Sequence, residues 1–152
     1  MHASGSSNLP VEALEHAYPF RVERYALWES SGGPGKYRGG MGVVRDYRVL
    51  ANDIVVSLSS ERQHVAAAGA GGGGQGTLGA FVLNPDSAQE RKLPAAAADV
   101  KLPRDSVLRI STPSGGGYGD ARKRDPAQIE RDLAEERVSA RQARSVYHGR
   151  RA

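Results

Sequence analysis

The chain has 152 residues and a mass of 16.2 kDa, the size of one ordinary domain. It contains no cysteine, which excludes disulfides, thiolate metal sites and cysteine nucleophiles. The formal net charge is +4, but residues 1–120 hold twelve basic and twelve acidic residues, whereas residues 121–152 hold nine basic and five acidic ones. The excess charge therefore belongs to the tail, and without a nucleic-acid-binding motif beside it we expect no nucleic-acid partner.

Five segments have the β-branched and aromatic composition that is typical of strands. The second and third are expected to be consecutive strands around a short turn at 51–53. No segment between the strands is long enough for a helical crossover, so the pattern favours a sandwich or an open barrel over a parallel sheet. The predicted strands are 21–28, 43–50, 54–59, 78–83 and 107–112.

The tail changes to a helical pattern. Asp125 offers a cap followed by Pro126, which predicts a helix over 126–137, and a second capping box at Ser139 predicts another short helix. Helices this short need a surface to dock on. The sequence thus predicts a mainly β body with long glycine-rich loops at 1–120 and a short helical, basic tail at 121–152.

Neither a membrane span nor a secretion signal is expected. The longest uncharged stretch, 63–85, contains seven glycines and few bulky apolar residues. The first twenty residues lack a basic start followed by an apolar run. We therefore expect a cytoplasmic protein.

Glycine lies in three clusters, at 32–40, 69–76 and 115–119. The run 69–74 has the spacing G-x-G-x-x-G, but a strand-like segment follows it where a dinucleotide-binding loop opens a helix. The loop ending at Lys36 has Ser30 where a P-loop has its first glycine, and Tyr37 where a P-loop has the serine or threonine that binds magnesium. We predict structural glycines, in turns or packed against another backbone. The four histidines show no metal-binding spacing, so no metal site is predicted.

Several motifs follow one another in a fixed order. They are PVEALE at 10–15 with Tyr18-Pro19, SGGPGKYRGG at 31–40 leading to GVVR at 42–45, and GGGYGD at 115–120 followed by Arg124-Asp125-Pro126. In this order they resemble the C-terminal part of the hydantoinase B/oxoprolinase family, and the resemblance covers essentially the whole chain.

The resemblance implies an ATP-dependent hydrolase that opens a cyclic amide such as 5-oxoproline, a hydantoin or a related lactam. In that family an A-type, actin-like ATPase subunit phosphorylates the amide oxygen, and the B-type part assists hydrolysis, often with a divalent metal. Related carboxylases use the same scaffold. Because family members are several times longer, we expect a fragment or split subunit that is inactive alone and needs the upstream portion of a B-type subunit. ATP and metal are then implied for the full complex, not for this chain by itself.

Six residues are candidates for function under this resemblance. Arginine suits bidentate carboxylate or phosphate contacts, although pairing with Asp or Glu is the alternative. The candidates are Ser6 and Asn8 near a catalytic site, and Arg38, Arg45, Tyr118 and Asp120 at a substrate or subunit contact.

Two functions remain open. The chain is either the C-terminal part of an ATP-dependent cyclic-amide hydrolase or a non-catalytic assembly module of such a complex or of a related carboxylase. Substrate-dependent phosphate release distinguishes them.

Overall fold

The computed structural model describes residues 8–147 and contains two antiparallel sheets packed against each other. The larger sheet has five strands in the order β1-β2-β7-β4-β5, and the smaller one pairs β3 with β6. These two antiparallel sheets confirm the mainly β fold. Within the described residues they do not close into a barrel. The elements are α1 (Val11–Ala17), β1 (Phe20–Leu27), β2 (Val43–Val49), β3 (Ile54–Ser59), β4 (Ala80–Leu83), β5 (Arg91–Leu93), β6 (Ala96–Leu102) and β7 (Val107–Ser111).

The main apolar core lies between the two sheets. Alternating residues of each strand point into it, because successive side chains of a strand face opposite sides. Val49 of the larger sheet and Leu102 of the smaller one are almost completely buried, at 0% and 1% exposure. The cluster consists of Val49, Leu58, Phe81, Leu83, Leu93, Leu102 and Leu108.

The tail forms a second, smaller core. Helix α2 (Pro126–Ala134) is capped by Asp125, whose side chain accepts a hydrogen bond from Ala127 N. A three-residue helix, α3 (Ala140–Gln142), continues into a π-helical turn, Ala143–Tyr147. The buried members are Ile129, Val138, Ala143 and Tyr147. The tail thus has its own apolar contacts, as its short helices require.

Ser30 attaches the tail to the body. It follows β1 with φ of 60°, and its hydroxyl donates to Ser139 Oγ at 3.0 Å and accepts from Ser139 N at 2.9 Å. Its backbone N–H donates to the carbonyl of Arg137. These bonds join positions more than 100 residues apart and fix the helices beside the glycine loops.

Strands β2 and β3 form as predicted on either side of the turn at 51–53, and the chain passes from the larger sheet to the smaller one there, at Asp53, where φ is 56°. Two features differ from the sequence prediction. Helix α2 ends at Ala134 rather than at 137, and Glu136 with φ of 54° follows. Elements α1, β5 and β6 were not predicted, because their sequences lack a cap or the usual β-branched residues.

Candidate functional site

The three glycine segments 32–40, 69–76 and 115–119 lie side by side and form what we call the glycine bundle. Their backbones bond to one another: Gly33 N donates to Gly115 O at 2.9 Å, Gly74 N to Pro34 O at 2.7 Å, and Gly117 N to Gly74 O at 2.9 Å. Backbone groups that loops usually direct to water are therefore paired internally.

Only glycine fits the centre of the glycine bundle. A Cβ atom built at Gly33 would lie 2.5 Å from Gly74 O and 2.6 Å from Gly117 N, well inside van der Waals contact. Gly40, by contrast, has open space around such an atom. The glycines thus permit close backbone packing, as the structural interpretation predicts. The N–H groups of Gly33, Gly74 and Gly117 donate to carbonyls, so they do not form a phosphate cradle.

Hydroxyl groups connect the glycine bundle to the sheets. The buried Ser31 donates through Oγ to Trp28 O at 2.6 Å and accepts from Gly42 N at 2.9 Å. Ser114, also buried, donates to Ser31 O at 2.5 Å and accepts from Thr77 N at 2.7 Å. The bundle is consequently fixed to the start of β2 and to the segment before β4.

Arg38 lies in a buried ion cluster. Its Nε and Nη2 lie 3.3 and 3.4 Å from the two carboxylate oxygens of Asp132, and Arg124 Nη2 lies 2.8 Å from Asp132 Oδ2. The three side chains are 11%, 5% and 8% exposed, in the order Arg38, Asp132 and Arg124. Arg38 also donates to Gly39 O. Its guanidinium therefore holds α2 against the glycine bundle.

The ion cluster continues to the end of the tail. The guanidinium carbon of Arg124 lies 6.0 Å from the centre of the Tyr147 ring, and Arg124 Nη1 donates to Lys36 O. Burial raises the pKa of the Tyr147 phenol above its ordinary value. One carboxylate thus pairs with two guanidinium groups in a part of the molecule with little access to water.

Asp120 begins the turn before α2. Its carboxylate accepts from Arg122 N at 3.0 Å and from the Arg122 guanidinium at 2.8 and 3.0 Å. Hydrogen bonding to Arg122 lowers the pKa of Asp120 to about 2. This carboxylate therefore stabilises a turn, and its acceptor positions already have local donors.

Tyr118 lies at the exposed edge of the glycine bundle. Its backbone exchanges two 2.9 Å hydrogen bonds with Tyr37, and the two rings are 6.3 Å apart and largely exposed. Lys36 Nζ lies 5.5 Å from the centre of the Tyr37 ring. Aromatic side chains are enriched at subunit contacts, which agrees with the contact role expected for Tyr118. That role stays a prediction.

Arg45 and Asn8 meet at Tyr25. The Arg45 guanidinium stacks 4.2 Å from the centre of the Tyr25 ring and donates to its hydroxyl at 2.8 Å, while Asn8 Nδ2 donates to the same hydroxyl at 3.0 Å. The structure thus brings two of the candidates together on the face of β1 and β2. Ser6 lies outside the described residues.

The sequence analysis missed Asp132 and the serines that hold the glycine bundle. Asp132 is three residues after Ile129, so it shares the apolar side of the predicted helix, and an acidic residue there indicates a buried cationic partner. No comparable signal marks Ser114, because its partners Ser31 and Thr77 lie 83 and 37 residues away.

Residues 8–147 offer no group of three His, Asp or Glu side chains that could hold a metal ion. In the same part of the chain, no helix is long and apolar enough to cross a membrane. In the geometry described above, Arg38, Arg124 and Asp120 form ion pairs inside the chain.

Known proteins are similar to this chain in sequence and in fold. The chain is 30% identical over 141 residues to the caprolactamase subunit beta of Pseudomonas jessenii, covering 90% of this chain and 24% of that protein. It is 34% identical over 119 residues to 5-oxoprolinase 1 of Arabidopsis thaliana, covering 78% of this chain and 9% of that protein.

Two solved structures have the same fold. The crystal structure of the ATP-dependent caprolactamase from Pseudomonas jessenii superposes with a TM-score of 0.74 at 28% identity, over 91% of this chain and 24% of that chain. Nucleotide-free acetone carboxylase superposes with a TM-score of 0.77 at 23% identity, over 91% of this chain and 22% of that chain.

The chain spans about a quarter of the length of the caprolactamase subunit it resembles and about a tenth of the 5-oxoprolinase. The family model for hydantoinase B/oxoprolinase matches residues 1–121. The chain therefore belongs to the hydantoinase B/oxoprolinase family.

Proposed function

We propose that this chain is the C-terminal part of the B-type portion of an ATP-dependent enzyme that opens a cyclic amide, such as 5-oxoproline, a hydantoin or a related lactam, in the cytoplasm. The observation that carries the proposal is the family match over residues 1–121 together with the similarity to a caprolactamase subunit and a 5-oxoprolinase. The chain acts with the remaining portion of a B-type subunit, whether joined to it or supplied separately, and is inactive alone.

The chemistry explains why ATP is needed. An amide carbon is a poor electrophile, and transfer of the γ-phosphoryl group of ATP to the amide oxygen gives ADP and an activated ring. A first water then adds to that carbon and the ring C–N bond breaks, with a proton passing to the nitrogen, which leaves an acyl phosphate. A second water releases the carboxylate and inorganic phosphate. In this proposal an A-type, actin-like subunit binds ATP and transfers the phosphoryl group.

The share of this chain in that reaction is structural support and positioning. We assign ATP and a divalent metal to other parts of the complex, because the N–H groups of Gly33, Gly74 and Gly117 donate to carbonyls and residues 8–147 contain no group of three His, Asp or Glu side chains that could hold a metal ion. Arg45 with Tyr25 and Asn8 is the set that we assign to contact with substrate or with the adjoining subunit.

The test is reconstitution. The chain is combined with the upstream portion of a B-type subunit and an A-type subunit, and phosphate release is measured with 5-oxoproline, hydantoin or caprolactam, with and without the chain. We expect substrate-dependent release only when residues 1–152 are present. Equal release without the chain would contradict a role in the hydrolase.

A second candidate function is a non-catalytic assembly module of such a complex or of a related carboxylase. It is favoured by two ion pairs inside the chain, Arg38 with Asp132 and Asp120 with Arg122. These structural bonds occupy two of the side chains that were candidates for ligand contact. Arg45→Gln separates the two functions. If turnover falls while the complex still forms, the chain contributes to the active site, and if turnover is unchanged in an intact complex, the chain only assembles it.

A further inference from the structure

Strand β3 has an unpaired edge. The smaller sheet contains only β3 and β6 among the described residues, and β3 pairs with β6 from Ile54↔Leu102 to Ser59↔Ala96. Within residues 8–147, no strand lies beside the opposite edge of β3. A free edge presents backbone N–H and C=O groups to which another strand can bond.

The edge of β3 also lacks the usual protection. Proteins protect free edges with charged residues or proline, since these discourage unwanted pairing. Each of the other edge strands carries at least two charged residues, whereas β3 has the sequence IVVSLS. The protected strands are β1 with Arg21, Glu23 and Arg24, β5 with Arg91 and Lys92, and β6 with Asp99 and Lys101. On β1, Val22 N additionally donates to Glu15 Oε1.

An apolar groove of about 320 Å³ runs along this edge, between β3, α1 and the larger sheet. Val56, Ser57 and Leu58 all line it. The register between β3 and β6 shifts between Val56 and Leu58, but burial along β3 still alternates there. Because side chains of consecutive strand residues point to opposite sides, three in a row border one groove only if the strand's edge faces it. The other lining residues are Leu14, Tyr18, Phe20, Tyr47, Leu108 and Ile110.

The inner face of the larger sheet extends beyond the smaller sheet. Tyr47 lines the groove, and Arg45, two residues away in β2, lies on the same face and pairs with Tyr25. Tyr25 and Leu27 continue this face and are 49% and 58% exposed. The two-stranded sheet covers only part of the five-stranded sheet. Apolar surface that a sandwich normally buries is therefore left exposed.

We propose that an extended segment of the upstream portion of a B-type subunit adds to the free edge of β3 and places its apolar side chains in the groove. The inference rests on the proposed function, in which the chain works with that portion. About three quarters of the caprolactamase subunit lies outside the region matched by this chain, so enough polypeptide is present in the family to supply the strand. Strand addition pairs the exposed backbone and fills the groove at once.

The test uses the Pseudomonas jessenii caprolactamase subunit beta without its matched segment as the probe. Binding of the full 152-residue chain is measured by interferometry, and amide exchange at 54–59 is measured in the free and bound chain. We expect exchange in β3 to slow at least about tenfold on binding. Ser57→Lys, at the groove, should weaken binding at least about tenfold. Ser59→Lys, on the same side of β3 but outside the groove, is the control and should change binding less than about twofold.

Several outcomes overturn the inference. Equal effects of the two lysine variants would do so, and so would binding without protection of β3. No binding of the wild-type chain at about 100 µM probe would also overturn it. A dimer of the chain that Ser57→Lys dissociates would make a second copy the occupant. Circular dichroism confirms that both variants fold. An active complex with an unprotected β3 would refute the inference alone, and a protected β3 in an inactive complex would refute the proposed hydrolase alone.

Discussion

Asp132→Asn removes the carboxylate that Arg38 and Arg124 share and keeps the shape of the side chain. The chain loses one short ionic hydrogen bond of 2.8 Å, from Arg124, and two longer ones of 3.3 and 3.4 Å, from Arg38. Two guanidinium groups then remain buried without a counter-charge, and unpairing a buried ion pair costs about 3–5 kcal/mol. For a chain of this length we expect the melting temperature to fall by about 10 °C.

The assays are thermal unfolding, which gives the melting temperature, and equilibrium unfolding in urea, which gives the free energy of unfolding. Both are followed by circular dichroism and by Trp28 fluorescence. Asp125→Asn is the matched control, because Asp125 is exposed and only caps α2, a role that asparagine performs as well as aspartate. Its free energy of unfolding should change by less than about 0.5 kcal/mol. If Asp132→Asn were as stable as this control, the ion cluster would not hold the tail to the glycine bundle.

Two further predictions concern the glycine bundle and the turn beside it. Gly33→Ala should lower the free energy of unfolding by about 2 kcal/mol or more, because the new methyl group meets Gly74 O, whereas Gly40→Ala should change it by less than about 0.5 kcal/mol in the same assay; equal effects would contradict close packing. The carboxyl of Asp120 should titrate with a pKa of about 2 by NMR and return toward its ordinary value of 3.8 in Arg122→Gln. Since the folded-state pKa is the lower one, the stabilisation by this pair is present above the ordinary value and is lost as the pH falls toward 2; an unchanged midpoint in the variant would refute the pairing.

The strands that the sequence predicts are those with a local signal. The segments around β2, β3 and β7 are rich in valine, isoleucine or leucine, and all three form where predicted. Strand β6 has the sequence AAADVKL, in which alanine gives little β preference, and it exists because it pairs with β3. The turn at 51–53 separates β2 from β3 as predicted, but its sequence does not reveal that the chain passes there from one sheet to the other.

The sequence predicted the structural role of the glycines and the possible ion pairing of Arg38, but not which residues contact them. A structural role for the glycines followed from their sequence context, yet the contacts among 33, 74 and 117 join segments about 40 residues apart and have no local signature. Arg38 was a candidate for ligand or for ion pairing, and its partner Asp132 lies 94 residues away. Such pairs become visible only when the fold is known.

We expect the glycine bundle to lower the heat-capacity change of unfolding. Its interior is made of peptide groups, and burying polar surface changes the heat capacity in the opposite sense to burying hydrocarbon. The hydrophobic contribution weakens on cooling, while a layer held by amide–carbonyl bonds does not share that weakening. We therefore expect a flatter stability curve than two apolar cores alone would give, and unfolding by urea, which solvates peptide groups directly, should begin to expose this layer.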